Sequence, residues 1–196
     1  MSKNLFGKLR EKYNSLFDYL SDSRNFIFVI LGLFILSAII GFFVPAPSQV
    51  SSQILSYIQQ LLNKTEGYNF IEMFLFIFFN NLKTSFVGLF GGIFFGVIPG
   101  IVSLSNGYLL GFVSIYSASE SGFGILWRLI PHGIFELFAV FVSLGLGLKL
   151  GSFFLEKQKR KFLRVNLRNS IEVFGLIVLP LLVFAALIET LFIFFI

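Results

Sequence analysis

Long apolar runs separated by short polar stretches set the plan of this chain, and their spacing is that of helices crossing a bilayer. From Asn25 to Val44 no residue is charged. A run of about 20 residues makes a helix as long as the hydrocarbon core is thick. It is too long for a signal-peptide core, and Pro45-Ala46-Pro47-Ser48 offers no convincing Ala-x-Ala cleavage site, so residues 26–44 read as an uncleaved first span. Upstream, Leu5, Leu9, Leu16 and Leu20, with Phe6 and Phe17, recur at helical spacing among charges, and residues 1–25 read as a short interfacial helix. Downstream, Ile54, Leu55, Ile58, Leu61 and Leu62 form a stripe among Ser and Gln, predicting an amphipathic helix on the membrane surface or packed over the spans.

From Thr84 to Ser119 charge is again absent, over a length sufficient for nearly two spans. Pro99-Gly100 and Ser105-Asn106-Gly107 are the natural breaks, giving spans near 84–101 and 103–119. So short a connection leaves a re-entrant or broken helix open as an alternative. A single helix over 70–101 would exceed the bilayer core, so 70–83 reads as a half-helix or interfacial segment hinged at Asn80-Asn81. A loop over 120–131 carries Trp127 and Arg128, which suit a membrane boundary. Pro131 then opens a helix to about Lys149, a basic loop covers 150–171, and the last span is 172–196 with Glu189 inside it. Glu189 pairs across the bundle or lies near the outer surface; its position alone does not decide.

Composition fits that reading. The chain is 56% hydrophobic with 29 Phe and only 13% charged residues, where soluble domains carry about 25%. A soluble chain of 196 residues has too little interior to hide that surface. The expected fold is all-α: one integral membrane helical bundle of about five transmembrane helices plus an interfacial or re-entrant helix. The net charge of +5 does not point to nucleic acid, because the basic residues flank spans. Lys3, Lys8, Arg10, Lys12 and Arg24 precede the first span, and Lys157, Lys159, Arg160, Lys161, Arg164 and Arg168 precede the last. The positive-inside rule places both groups in the cytoplasm. Five crossings satisfy that parity, with the N-terminus cytoplasmic and segment 45–83 outside a cell membrane. The chain has no cysteine, which removes disulfides and thiolate chemistry.

His132 and Glu136 stand four apart, on one face of the helix that Pro131 opens. Ionisable groups in a span mark function by default, so a proton or cation relay or half a metal site stands beside a plain buried pair that locks the helix. One His and one Glu cannot supply the three protein ligands of catalytic zinc. Asn80 and Asn81 point about 100° apart on a helix and can cap a hinge, bridge helices or line a polar cavity. Glu72 and Lys83 flank them, as headgroup-level charges or a buried ion pair. With Asn106, these residues form the candidate intramembrane polar cluster: Glu72, Asn80, Asn81, Asn106, His132 and Glu136. Gly88, Gly92, Gly96 and Gly100, then Gly107 and Gly111, recur at intervals of four, a helix-packing signal that also makes a homo-oligomer plausible. Phosphate-cradling loops, nucleophile elbows and paired catalytic carboxylates are missing, so neither a catalytic residue nor a cofactor is expected.

The succession of Glu72, Asn80-Asn81, a glycine-rich span, Asn106-Gly107 and Pro131-His132-Gly133-x-x-Glu136 resembles the stage II sporulation protein M family over about residues 70–151, and elsewhere by hydropathy alone. The resemblance implies a polytopic membrane protein without established catalytic activity. In spore formers the family's namesake works in a complex with peptidoglycan-degrading proteins during engulfment, and the family is also widespread in organisms that make no spores. Only the character of a membrane component is carried over. Two functions stand as expectations: a non-enzymatic component, in the lipid bilayer with partner proteins, that organises a complex or remodels membrane, and a small-solute or ion channel or transporter using His132, Glu136, Asn80 and Asn81.

Overall fold

The computed structural model describes the backbone of residues 5–124, 126 and 130–195, and the side chains of residues 7–120, 122–124, 126 and 136–195. Among them the chain is all-α, without a strand: α1 (Leu5–Phe43), α2 (Ser48–Thr65), α3 (Phe70–Gly91), α4 (Val97–Ser121), α5 (Ile130–Gly151), α6 (Lys159–Val173) and α7 (Leu179–Phe195). Five helical stretches are long and apolar enough to cross a membrane: Gly7–Phe43, Phe70–Gly91, Val97–Glu120, Glu136–Leu155 and Lys159–Phe195. Many of their large apolar side chains face outward, such as Phe28, Phe79 and Phe86, as lipid-facing positions require.

The boundaries differ from the sequence expectation in three places, each for a physical reason. First, residues 1–25 are not a separate interfacial helix. No Gly-Pro break interrupts the stretch from Lys8 to Phe43, and α1 runs 39 residues, about 58 Å at 1.5 Å per residue. Second, the basic segment 150–171 is not a loop. After a short 3-10 turn at Ser152–Leu155, α6 begins and passes through a π-helical segment, Phe174–Val178, into α7, a continuous 37 residues. Both long helices exceed the ~30 Å hydrocarbon core. Their surplus lies on one side, where α1 and α6 pack through Leu16, Tyr19, Leu163 and Leu167.

Third, α3 does not hinge at Asn80-Asn81, and 84–101 is not one span. The 70–101 stretch does break, but at residues 92–96, where Phe95 (φ 56°) and Gly96 (φ 73°) take left-handed conformations. Gly96 adopts this without Cβ strain; Phe95 does not. Pro99 then falls in the first turn of α4, where a missing N–H leaves no hydrogen bond unmade.

Two small-residue seams hold the bundle. Along α1 and α4, Ser103 Oγ donates to Ile30 O at 2.8 Å, Gly107 lies on the Phe34 carbonyl, and Gly111 on that of Ala38. The residue numbers rise together, so these helices are parallel. Along α3 and α5, also parallel, Gly88 meets Leu144, Gly92 meets Gly147, and Gly96 meets Leu148 and Gly151. At the glycine–backbone contacts a Cβ would strike main-chain atoms, so contact packing between backbones joins the helices. α5 is the hub: 61% of its span is buried, against 22–28% for the other four. It contributes Val142, Leu146 and Leu150 to one core cluster and Val140 and Leu144 to another.

Candidate functional site

The α3–α5 seam fixes what stands beside what. Carrying the pairing of Gly88 with Leu144 about two turns toward both N-termini brings Asn81 level with Glu136. The π-helical segment and α7, antiparallel to α5, dock through Val178 and Leu182 respectively, and α7 brings Glu189 to the same level. The Glu136 carboxyl accordingly lies within hydrogen-bonding reach of the Glu189 carboxyl and the Asn81 amide. Asn81 is buried at 5% exposure, and its Oδ1 accepts from Asn80 Nδ2 at 3.4 Å. Asn80 is exposed and lines a groove of about 520 Å³ on the outer face of α3 with Lys64, Glu72, Phe79 and Lys83. Three helices thus hold a carboxyl pair in the bundle, and two adjacent amides connect it to the surface.

A second polar layer joins α1, α5 and α6 at the basic end. Lys149, 8% exposed, donates from Nζ to Ser23 Oγ at 2.9 Å and sits 4.0 Å above the centre of the Tyr19 ring. Ser23 Oγ donates to the Tyr19 carbonyl at 2.6 Å. The Tyr19 hydroxyl reaches α6, at 3.1 Å from Asn166 O and 2.9 Å from Ser170 Oγ. Elsewhere between α1 and α6, Lys12 pairs with Glu172, which Arg168 also contacts at 3.3 Å.

Of the candidate residues, the structure brings together Asn80, Asn81 and Glu136. The His132 side chain lies outside the described residues, as do Trp127 and Arg128. Glu72 is not in the buried cluster: it closes a capping box at the start of α3, its Oε2 accepting from Asn69 N at 2.9 Å. Nor is Asn106, which is exposed and donates to its own helix at Val102 O, 2.8 Å away. Gly88, Gly92, Gly96, Gly107 and Gly111 all lie in contacts between helices of this chain, whereas Gly100 faces open space. Their packing capacity is used within the chain, so the ladder no longer argues for a second copy.

The sequence left Glu189 undecided and treated Lys149 only as a helix end. Lys149 carried a signal, because Gly145, four residues before it on the same face, marks the side of α5 that packs closely on α1 at Ile27. Glu189 carried its neighbours Ala185, Ala186 and Thr190, which form the buried face of α7.

A family model described as stage II sporulation protein M matches residues 30–192. An uncharacterized protein of Methanocaldococcus jannaschii is 33% identical over 116 residues, covering 56% of this chain and 65% of that relative, just under two thirds of its length. No solved structure matches.

Proposed function

Because this chain belongs to the stage II sporulation protein M family, a membrane protein family, we propose that it is a non-enzymatic component that organises a complex in the cell membrane. One observation carries the reading. The part of α1 that projects past the hydrocarbon bears Leu9, Tyr13 and Phe17 at intervals of four, 47%, 40% and 59% exposed. An apolar stripe standing in water is a docking surface. In this reading the basic ends of α1 and α6, and with them the N-terminus, face the cytoplasm, where positive charge is retained and anionic headgroups are met. On the opposite side α2 buries none of its residues in the chain, and its stripe of Ile54, Ile58 and Leu61 suits the bilayer surface. Replacing Leu9, Tyr13 and Phe17 together by Ser tests the proposal on native gels of mildly extracted membranes. The expected result is loss of a high-mass species with unchanged thermal unfolding. A variant that stays in an unchanged assembly refutes this role for the stripe.

Passage of protons or a monovalent cation is a second reading, favoured by the connection from the groove through Asn80 and Asn81 to Glu136 and Glu189. Two carboxylates in contact repel, and a shared proton or a bound cation removes the repulsion. Ion flux in liposomes that disappears in Glu136→Gln, with the protein still folded, supports this reading. Absence of flux in the unaltered chain rejects it.

A further inference from the structure

The surplus polar group of this fold is Lys83. It lies 13 residues after Phe70 and eight before Gly91, which at 1.5 Å per residue places it about 20 Å and about 12 Å from the ends of α3. Both distances put it within hydrocarbon depth. Lys83 is nonetheless exposed, and no ion pair or hydrogen bond satisfies it among the described residues. Ionisable side chains at such depth almost always face protein or water, because a lysine exposed to lipid is expensive. The groove it lines runs along α3 from Glu72 past Phe79 and Asn80, about three helical turns, and is overhung by Lys64 and Tyr68.

Three kinds of occupant come into question for a groove of this kind, and two fit poorly. A second copy related by a two-fold axis along the membrane normal meets this face at equal depth, setting Lys83 against Lys83. Glu136 and Glu189, the chain's carboxyls at membrane depth among the described residues, sit against each other inside the bundle and cannot answer that charge. A phospholipid phosphate stays at the interface, and helical side chains lean toward the N-terminus, so Lys83 leans along the groove and away from the nearer end of α3.

We infer that the outer groove of α3 receives one transmembrane helix of a different protein, whose Asp or Glu pairs with Lys83 beside the Asn80 amide. This rests on the reading of the chain as a member of a membrane complex, and names the chemistry of one partner.

The test uses the full-length chain in phosphatidylcholine vesicles with two labelled synthetic transmembrane peptides, Leu-Ala helices with either Asp or Leu at the centre. Energy transfer should report about three- to tenfold tighter association of the Asp peptide, the range that interhelical polar pairs give in membranes. The preference should vanish in Lys83→Met and persist in Lys83→Arg. Lys83→Met removes a charge from hydrocarbon, so it is not expected to prevent folding. Because the chain lacks cysteine, Phe79→Cys also gives a clean cross-linking site. It should form a disulfide with a Cys placed beside the peptide's Asp. Equal association of the two peptides, or a preference that survives Lys83→Met, overturns the inference. So do Phe79→Cys homodimers in place of the peptide adduct, or Lys83-dependent retention of phosphatidylglycerol without a peptide preference. If the peptides fail while the chain still extracts in a high-mass assembly dependent on Leu9, Tyr13 and Phe17, the groove assignment falls and the complex-forming role stands.

Discussion

The two polar layers of this bundle are built from similar materials and behave oppositely. At the basic end, Lys149 is closed in by Ser23, the face of Tyr19 and, through the Tyr19 hydroxyl, the α6 groups Asn166 and Ser170. One cation meets a hydroxyl acceptor and an aromatic face, with the opposite charge of Asp22 close enough to favour it. In the other layer Glu136 meets a second carboxyl, Glu189, and an amide that continues to the surface. Two carboxyls in hydrogen-bonding reach cannot both stay charged; they share a proton or take up a cation. The first layer therefore reads as a clasp joining α1, α5 and α6. The second reads as a site, held in place by the glycine seam between α3 and α5.

The strongest way to break this contrast is to open the seam. A Cβ at Gly92 would collide with the carbonyl of Gly147, which is backbone and cannot step aside. Gly92→Val should cost about 3 kcal/mol or more, at the upper end for overpacking. It should separate α3 from α5, and so Asn81 from Glu136, while the clasp around Lys149 persists. Thermal unfolding in detergent gives the first quantity. Cysteine pairs across α3–α5 and α1–α6 give the second, and equal loss of both cross-links would show that the layers are not independent. Gly100→Ala, which meets open space, is the matched control and should be nearly neutral.

Next come two substitutions that keep shape and remove charge. Lys149→Met forfeits the cation over Tyr19 and the bond to Ser23, and should destabilise by about 1–2 kcal/mol without altering partner binding or flux. Glu136→Gln relieves a contact between carboxyls while an amide still faces Asn81, so stability should hold or rise by up to about 1 kcal/mol. Any activity in the intact chain should fall. Chemical denaturation of both variants beside an activity assay decides the matter. Equal destabilisation by the two would end the distinction between clasp and site.

Which parts of this picture could be read from residues alone follows from the physics. Helix identity and number were legible because lipid demands long apolar runs, and Asn25–Val44 or Thr84–Ser119 can be little else. The break in 70–101 was required by length but misplaced, because Pro99 and Asn80-Asn81 look like breakers. Gly96 gives no hint of its left-handed backbone until the approach of α5 is known. Half of the carboxyl site was visible as Asn81 and Glu136. Its other carboxyl was not decided, since Glu189 meets Glu136 only through the antiparallel docking of α7, a relation across more than 50 residues. The clasp was hidden for the opposite reason: Lys149 at the end of a span looks like a headgroup anchor, and Tyr19 and Ser23 lie in what reads as an interfacial helix.

A finer cut through the clasp is Tyr19→Phe. The ring stays beneath Lys149, and only the hydroxyl contacts to Asn166 O and Ser170 Oγ are lost. The cost should be about 1 kcal/mol, a typical net hydrogen-bond contribution. It should add to that of Lys149→Met if the aromatic face and the hydroxyl act separately. A double-mutant cycle in denaturant checks this, and a coupling well above about 0.5 kcal/mol would show instead that the layer acts as one unit.

The smallest effect belongs outside both layers, at a partly exposed contact between α1 and α6. Glu172 contacts Lys12 of α1 and Arg168 of its own helix, with side chains exposed by 26%, 41% and 79% respectively. Partly exposed pairs of this kind are screened and gain little over water, so Glu172→Gln should change stability by less than about 1 kcal/mol. Whatever the pair contributes should fade as salt rises from 50 mM to 1 M, where the screening length shrinks to about 3 Å. The Lys149 layer, shielded from ions, should not respond to salt. Melting curves of the unaltered chain, Glu172→Gln and Lys149→Met across that range therefore separate an ion pair in water from a cation in a protein clasp. A loss in Lys149→Met that shrank with salt in step with the Glu172→Gln loss would mean the clasp is open to solvent, and the contrast with the carboxyl site would have to rest on charge sign alone.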